Sequence, residues 1–246
     1  MARHEAALPF LPGVHTTNGS SFNEILQYNK LRLKVCTYYQ KPLLYLFYGK
    51  PAYRLQRGSN LSTRLSGDAA VCFVLNTTKL PDMHRAFALD TGASFGNRYD
   101  DYLPQGVSID DFEIAANPVS VAKLVKAFFD ENERYVNGSA KESIKFSPLD
   151  VVSDVYKAIA SSTVSTFDDR ACTCELQYDA ELEINKDTIH TVVIPDMLFG
   201  ETRIQKKMRE WGVKPITYRF RRAKPEDRTE VICEKLGDYY EAEGFM

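Results

Sequence analysis

His15 and the two hydroxyl side chains that follow it, Thr16 and Thr17, form the first group of residues that could do chemistry. An imidazole nitrogen can hydrogen-bond a sugar hydroxyl, and a threonine hydroxyl can bond a carboxamide. The surrounding segment, GVHTTNGSSFNEIL, runs into a capped helix, so His15 stands at the start of a structural element. The group predicts a contact to a ribose or an amide, with a histidine tied to the backbone as the alternative.

A second group lies in the stretch KPLLYLFYGKPAYR, where an aromatic strand ends in a Gly-Lys-Pro break and a final Tyr-Arg pair. Aromatic faces can stack on a flat ring, and cations at a turn can hold a pyrophosphate, arginine with a forked contact. An aromatic strand that only fills the core is the alternative. The candidate cofactor-binding residues of this stretch are Tyr45, Tyr48, Lys50, Tyr53 and Arg54.

A third group is a carboxylate late in the chain, Glu175, in the segment DDRACTCELQYDAELEI. If residues 171–182 form a strand, its period of two places Glu175 and Gln177 on one face. A carboxylate among apolar neighbours either faces water at a sheet edge or is held in a cleft for function. A nuclease interpretation would add Asp168 or Asp169 to Glu175 as ligands of a magnesium ion. It lacks the lysine expected two residues after the glutamate, where Gln177 stands.

The stretch FALDTGAS sets Asp90 directly after a short hydrophobic run. It resembles the active-site signature of aspartic peptidases, which need two such aspartates sharing one proton. The chain carries the motif once, so a peptidase would have to be a homodimer. A structural turn, or a loop that contacts a ligand, is the favoured interpretation of Asp90.

Helical spacing of apolar residues predicts the helices that must position these groups. A first helix follows Ser20 or Ser21 as its cap. An Asn-Pro pair predicts the start of the longest helix, over residues 118–135. Further helices are predicted after the Ser-Pro pair at 147–148 and over residues 201–211, where a glycine ends the last one.

Short apolar or alternating runs predict the strands. These runs are residues 31–48, 69–76, 171–182, 190–195 and 214–222. No regular βαβ spacing links them and no GxGxxG motif follows a strand, so a dinucleotide-binding Rossmann fold is disfavoured. The pattern predicts one α+β domain over residues 1–246.

The composition is that of a globular protein of 246 residues, 44% hydrophobic and 26% charged, with a formal net charge of −2. Five widely spread cysteines without a CxxC pair favour reduced thiols over a zinc site. No apolar run approaches the ~18 residues of a membrane-spanning helix, and the N-terminal residues lack the pattern of a signal peptide. We therefore expect a soluble, cytoplasmic protein with no membrane partner.

Taken together, three of these groups resemble the ADP-ribosyltransferase fold, and among its members the DarT-type bacterial toxins and related phage-defence transferases. The segment GVHTT matches the histidine segment that opens the NAD pocket, and LYLFYGKPAYR matches the aromatic segment that lies along it. The segment TCELQ matches the late catalytic glutamate. The resemblance covers residues 1–55 and 168–199, and Lys50 stands where the family has an arginine before the proline.

The resemblance implies a split mixed β-sheet with flanking helices, NAD as the donor of ADP-ribose, and no metal ion. His15, the two threonines and the residues of the aromatic stretch would bind NAD. Glu175 would be the catalytic residue, with Glu181 and Glu183 competing for that role.

The resemblance further implies transfer of ADP-ribose to DNA, RNA or protein by a toxin or antiviral defence effector, which an antitoxin or chaperone would restrain. The stretch YRFRRAK interleaves aromatics with cations, which is typical of a surface facing nucleic acid; a solvated face is the alternative. Other functions left open are a non-catalytic nucleotide- or nucleic-acid-binding module, a metal-dependent nuclease and a dimeric aspartic peptidase. The candidate acceptor-binding residues are Arg219, Arg221, Arg222 and Lys224.

Overall fold

The computed structural model describes residues 5–52, 65–147, 149–161, 172–223 and 227–246. Within these ranges the chain is an α+β fold in which helices flank a mixed sheet. Most of its buried apolar side chains belong to one hydrophobic cluster. The predicted class, α+β with a mixed sheet core, is confirmed. The sequence-predicted site residues that lie outside the described residues are Tyr53, Arg54, Asp168, Asp169 and Lys224.

Eleven strands fall within the described residues. In chain order they are β1 (Gly13–Asn18), β2 (Lys30–Leu31), β3 (Lys34–Cys36), β4 (Lys41–Tyr48), β5 (Ala70–Leu75), β6 (Arg85–Phe87), β7 (Glu113–Ile114), β8 (Glu175–Tyr178), β9 (Leu182–Glu183), β10 (Ile189–Pro195) and β11 (Ile216–Tyr218). The longest of them, β4, carries the aromatic stretch that the sequence singled out.

Eight α-helices fall within the same residues. They are α1 (Gly19–Tyr28), α2 (Thr91–Phe95), α3 (Pro118–Phe128), α4 (Asn132–Val136), α5 (Val151–Ala160), α6 (Asp196–Phe199), α7 (Thr202–Glu210) and α8 (Asp227–Ala242). Among the described residues, none of them is long and apolar enough to cross a membrane.

Nine of the described strands form one sheet in the order β11-β10-β5-β1-β4-β8-β6-β7, with β3 added beside β4. Neighbouring strands are antiparallel except β10 and β11, which are parallel. β5 lies between β1 and β10, and all six of its residues are buried. A strand covered on both faces reads as a continuous apolar run, which is why residues 69–76 could be predicted as a strand.

The junction between β1 and β4 is a short pairing in the middle of this sheet. β1 pairs with β5 along its whole length, from Gly13 to Asn18. Its pairing with β4 is confined to two positions, Gly13 opposite Tyr48 and Val14 opposite Phe47. The sheet therefore consists of two halves, β11-β10-β5-β1 and β4-β8-β6-β7, whose strands separate beyond this junction.

α1 follows β1 without a loop because Asn18 serves both elements. Its side-chain oxygen accepts a hydrogen bond from the backbone N–H of Ser21 at 2.8 Å. The sequence predicted Ser20 or Ser21 as the cap. In the structure the cap is Asn18. This direct strand-to-helix connection holds α1 against the separated end of β1.

α3 and α4 replace the single helix predicted over residues 118–135. α3 begins behind its predicted asparagine cap but ends at Phe128. Asp130 has a φ of 76°, a left-handed conformation that a helix interior does not accommodate. Its carboxylate forms ion pairs with Lys126 and Lys141, which stabilise the break. The longest described helix is instead α8, a segment for which the sequence predicted nothing.

Other predicted elements are confirmed with shorter bounds. The predicted helix over residues 201–211 is α7, and Gly212, with a φ of 71°, follows its end as expected. The strand predicted over residues 171–182 is split into β8 and β9, and the last predicted strand is reduced to β11. The shortening of β8 matters for the site, because it makes Glu175 the first residue of the strand.

Tyr135 ties the end of β4 to the start of β8 through its hydroxyl. That hydroxyl donates to the backbone carbonyl of Tyr48 at 3.0 Å and accepts from the backbone N–H of Cys174 at 3.0 Å. In Tyr135→Phe the Cys174 N–H would lose this partner in a buried setting. We expect the free energy of unfolding to fall by about 1 to 2 kcal/mol, measured by urea denaturation.

Tyr156→Phe is the matched control, since the Tyr156 hydroxyl is buried without a hydrogen-bond partner among the described residues. Its removal should leave the free energy of unfolding unchanged or higher. A Tyr135→Phe protein as stable as the wild type would show that the tie between β4 and β8 does not stabilise the fold.

Candidate functional site

A cleft of about 600 Å³ opens where β1 and β4 separate. Residues 15–18 of β1 and 43–45 of β4 line its two walls. α1 and the segment at Asp90 close it further, and Glu175 lies at its floor with 1% of its surface exposed. Its volume lies within the range of pockets that bind small molecules and cofactors.

His15 lies on the β1 wall of the cleft, where its ring Nδ1 is 2.9 Å from the backbone carbonyl oxygen of Tyr45. A carbonyl oxygen only accepts hydrogen bonds, so Nδ1 carries the proton and Nε2 of the neutral ring is an acceptor. Burial, with a smaller contribution from the charge of Lys34, lowers the pKa of His15 to about 4. At neutral pH the ring therefore offers Nε2 to a hydroxyl donor.

The carboxylate of Glu175 is held by three hydrogen bonds. The backbone N–H of Thr91 donates to Oε2 at 3.1 Å, and the Thr91 hydroxyl donates to Oε1 at 2.7 Å. The side-chain amide of Gln177 donates to Oε1 at 2.7 Å. This last contact confirms that Glu175 and Gln177 share one face of the strand, as their spacing predicted.

Burial raises the pKa of Glu175 from 4.5 to about 8, and the nearby carboxyl of Asp90 contributes to the rise. The hydrogen bonds from Gln177 and Thr91 oppose it, because they favour the ionised form. Glu175 therefore changes its charge within the physiological pH range. A titrating carboxyl in a cleft is a physical indication of a functional site.

The two other glutamates that competed for the catalytic role lie outside the cleft. Glu181 forms ion pairs with Lys30 and Arg32, and Glu183 forms a longer one with Lys30. Their side chains are 37% and 70% exposed. Of the three, Glu175 alone lines the cleft.

The aromatic stretch is divided between the cleft and the core. Tyr45 and Phe47 line the cleft, which fits their separation of two positions on β4, since such residues share a face of the strand. Tyr48 points the other way and is fully buried, with its hydroxyl accepting from the backbone N–H of Leu11 at 2.9 Å. The structure therefore brings Tyr45 to the site and does not bring Tyr48.

Lys50 is also directed away from the cleft. Gly49 precedes it at a φ of 71°, which turns the chain, and Lys50 is 5% exposed. Its Nζ lies 3.6 Å from the Cys172 Sγ and 5.2 Å from the centre of the Tyr135 ring. Lys50 does not line the cleft, so its position does not fit the phosphate contact that was predicted for it.

The two threonines next to His15 differ in what they offer. Along β1, His15 and Thr17 share a face, while Thr16 lies on the opposite one, across from Cys72 on β5. Thr16 also lines the cleft, but its hydroxyl is fully enclosed and has no hydrogen-bond partner among the described residues. Thr17 remains as the hydroxyl that could bond a ligand.

Several cleft residues were not predicted. Lys34 and Arg32 supply positive charge at the rim, and both are exposed. Tyr38 stacks on Phe95 with ring centres 4.1 Å apart, and both rings line the cleft. Alternating cations from Lys30 to Lys34 are the one sequence signal that could have indicated this charged rim.

The Asp-Thr-Gly segment is part of the same cleft. The Asp90 side chain accepts from the backbone N–H of Ala93 at 3.2 Å and so caps α2, while Thr91 contacts Glu175. The prediction of a turn or ligand-contacting loop for Asp90 fits this arrangement.

The candidate acceptor-binding cations lie apart from the cleft. Arg219, Arg221 and Arg222 are exposed and follow β11 at the edge of the sheet. The strands β10, β5 and β1 stand between β11 and the β4 wall, and none of the three arginines lines the cleft. With strands about 4.8 Å apart, an acceptor touching both places would have to cross half of the sheet.

Within the part of the chain that the structure describes, no group of three His, Cys, Asp or Glu side chains could hold a metal ion. Comparison of the chain with protein-family models, with curated proteins and with solved structures finds no match in any of the three.

Proposed function

We propose that this chain is an NAD-dependent ADP-ribosyltransferase whose active site is the cleft between β1 and β4. The observation that carries the proposal is that His15, Tyr45 and Glu175, from three different strands, line one cleft. These residues stand in the three segments that resemble the histidine, aromatic and glutamate segments of that fold. The separation of the sheet at the β1–β4 junction supports the split sheet that the resemblance implies.

The chemistry requires a carboxylate close to the ribose of NAD. The bond between the nicotinamide nitrogen and the ribose C1′ breaks, and its electron pair leaves with nicotinamide. Positive charge develops on the ribose, and the ionised Glu175 at the floor of the cleft would stabilise it. The acceptor nucleophile then bonds to C1′ and loses a proton, for which the Glu175 carboxylate is a suitable base.

The remaining cleft residues would position the dinucleotide. The free Nε2 of His15 accepts from a ribose hydroxyl, and its low pKa keeps it in that state at neutral pH. The ring of Tyr45, or the stacked pair of Tyr38 and Phe95, offers an aromatic face to nicotinamide or adenine.

The cations at the rim, in place of Lys50, would hold the pyrophosphate. Lys34 lines the cleft, and its Nζ lies 3.3 Å from the Ser21 hydroxyl. In Lys34→Ala we expect the KM for NAD to rise by about 3- to 10-fold with little change in kcat, because an exposed charge contributes modestly. The effect should shrink at high salt, which screens it.

Lys79→Ala provides the control for Lys34→Ala, because Lys79 is an exposed lysine that does not line the cleft. It should leave the KM unchanged. Equal KM values for NAD in Lys34→Ala and the wild type would contradict the assignment of the rim to the pyrophosphate.

The proposed acceptor is a nucleic acid, DNA or RNA, or a protein, and the proposed role is that of a cytoplasmic toxin or phage-defence effector. An antitoxin or chaperone that neutralises the activity belongs to the same proposal. The exposed arginines beyond β11 support a nucleic-acid acceptor, provided that it extends across the sheet from the patch to the cleft.

The test is release of nicotinamide from NAD by the purified protein, with single-stranded DNA, RNA and cell lysate added in turn. Release that depends on one acceptor supports the proposal and identifies the acceptor class. A melting temperature raised by NAD without nicotinamide release would favour the non-catalytic binding module instead. If the protein releases no nicotinamide and NAD does not shift its melting temperature, the proposal is overturned.

A further inference from the structure

Thr91 makes two contacts with Glu175, one to each carboxylate oxygen. Its backbone N–H donates to Oε2 at 3.1 Å and its hydroxyl donates to Oε1 at 2.7 Å. A single residue that binds both oxygens fixes the plane of the carboxylate as well as its position. Thr91 is itself 1% exposed, so water cannot easily replace its hydroxyl in this role.

The pairing of β6 with β8 explains how Thr91 reaches Glu175. Phe87, the last residue of β6, lies directly opposite Glu175 in the sheet. The chain then runs through Asp90, whose side chain caps α2 and fixes its first residue, Thr91. Thr91 is therefore carried over the carboxylate by the sheet and by its own capped turn.

We propose that Thr91 is a positioning residue of the cleft, whose hydroxyl and backbone N–H hold the Glu175 carboxylate in the orientation and the ionised form that the reaction needs. This inference rests on the proposed transferase function for its kinetic readout. Its readout by titration of Glu175 is independent of that function.

The groups that face Glu175 explain why it needs this contact. They are Asp90 before α2, Tyr99 after it, Tyr45 on β4 and Tyr39 in the turn before β4. Burial raises the pKa of each of the three tyrosines, so these rings stay neutral and add no negative charge beside Glu175. Asp90 disfavours a second negative charge. Hydrogen bonds from Thr91 and Gln177 favour an ionised Glu175. Arg98, just after α2, is a cation that lines the same cleft.

The test compares Thr91→Val, which replaces the hydroxyl with a methyl group of similar size, with Thr91→Ser, which keeps it. The Glu175 carboxyl is titrated by NMR on protein labelled with ¹³C at the glutamate carboxyls, with its signal assigned by its loss in Glu175→Gln. We expect the pKa of Glu175 to be about 8 in the wild type and close to that in Thr91→Ser. In Thr91→Val the ionised fraction at pH 7.5 should fall about tenfold, the usual effect of losing one hydrogen bond to a charged group.

The kinetic readout is the pH dependence of nicotinamide release. The kcat of Thr91→Val should fall about tenfold at pH 7.5 and recover at least in part at higher pH, while the KM for NAD stays within roughly threefold. Thr91→Ser should restore the wild-type profile. A loss of kcat that is the same at every pH would overturn the part of the inference that concerns the ionised form.

Thr191→Val is the matched control. Thr191 is 2% exposed and its hydroxyl donates to the backbone carbonyl of Lys214 at 2.8 Å, away from the cleft. It loses the same kind of buried hydrogen bond, so it should lower stability without altering the titration of Glu175. A titration of Glu175 in Thr91→Val that matches the wild type would overturn the inference. A third outcome is that the titration of Glu175 is displaced in Thr91→Val while the wild type releases no nicotinamide. That result would overturn the transferase proposal and still support Thr91 as the residue that holds Glu175.

Discussion

Glu175→Gln is expected to lower the rate of nicotinamide release from NAD by about 10²- to 10⁴-fold, the usual scale for an acid–base group. Glutamine has the size of glutamate, and its oxygen can still accept from the Thr91 hydroxyl and the Gln177 amide, but it carries no charge and its amide nitrogen cannot accept from the Thr91 backbone N–H. It can neither stabilise positive charge on the ribose nor take the proton of the acceptor. Because His15 and the rim cations are unchanged, the affinity for NAD should stay within roughly threefold. Steady-state release and calorimetric titration with NAD measure the two effects.

Glu181→Gln and Glu183→Gln are the controls for this expectation, because both glutamates lie outside the cleft and pair with cations at the surface. Each should leave the rate of nicotinamide release close to that of the wild type. A strong loss in Glu181→Gln, or an active Glu175→Gln protein, would show that the catalytic carboxylate has been misassigned.

The pairing of Glu175 with Gln177 was predictable because it depends on local geometry alone. Two residues separated by two positions on a strand share a face whichever strands lie beside them. The same rule separates Tyr45 from Tyr48, which are three positions apart on β4 and face opposite sides. The sequence could therefore have excluded Tyr48 from the site once residues 41–48 were taken as a strand.

The contact between Thr91 and Glu175 was not predictable, because it depends on which strands are neighbours. It requires β6 to pair with β8, and nothing in either short strand specifies that partner. Asp90 and Thr91 were recognised as an unusual local motif, but its likeness to a peptidase signature pointed to a different chemistry. Their role follows from the sheet order, which the spacing of apolar residues does not encode.

Lys50 illustrates the opposite failure, in which a local pattern suggested a site that the fold does not form. A Gly-Lys-Pro break after an aromatic strand has the composition of a phosphate-binding turn. In the structure Gly49 turns the chain so that Lys50 packs beside Cys172 and the Tyr135 ring. Among the described residues, the cations that line the cleft are instead Lys30, Arg32, Lys34 and Arg98, and for the first three the sequence showed only an alternating pattern.

The stability of Glu175→Gln relative to the wild type is also expected to rise by about 2 to 4 kcal/mol between pH 5 and pH 9. The pKa of Glu175 is raised in the folded protein, from 4.5 to about 8, chiefly by burial. A raised pKa means that the folded state binds the proton more tightly than the unfolded state. The stability that this proton contributes is complete below pH 4.5, where both states are protonated. It decreases as the pH rises from 4.5, and it is lost once the pH has passed about 8. Glutamine cannot ionise, so its stability lacks this decrease.

The measurement is the free energy of unfolding of both proteins by urea denaturation between pH 5 and 9, and the quantity of interest is the difference between them. His15, whose pKa is lowered by burial, titrates below this range when folded. Its contribution is common to both proteins and cancels.

Glu113→Gln is the control, because the pKa of Glu113 is shifted in the opposite direction: hydrogen bonds from Arg85 lower it. Its stability difference from the wild type should be unfavourable and constant from pH 5 to 9. A difference for Glu175→Gln that is equally constant would show that Glu175 ionises as an ordinary carboxyl, and the cleft would then lack the titrating group on which both the proposed catalysis and the role of Thr91 depend.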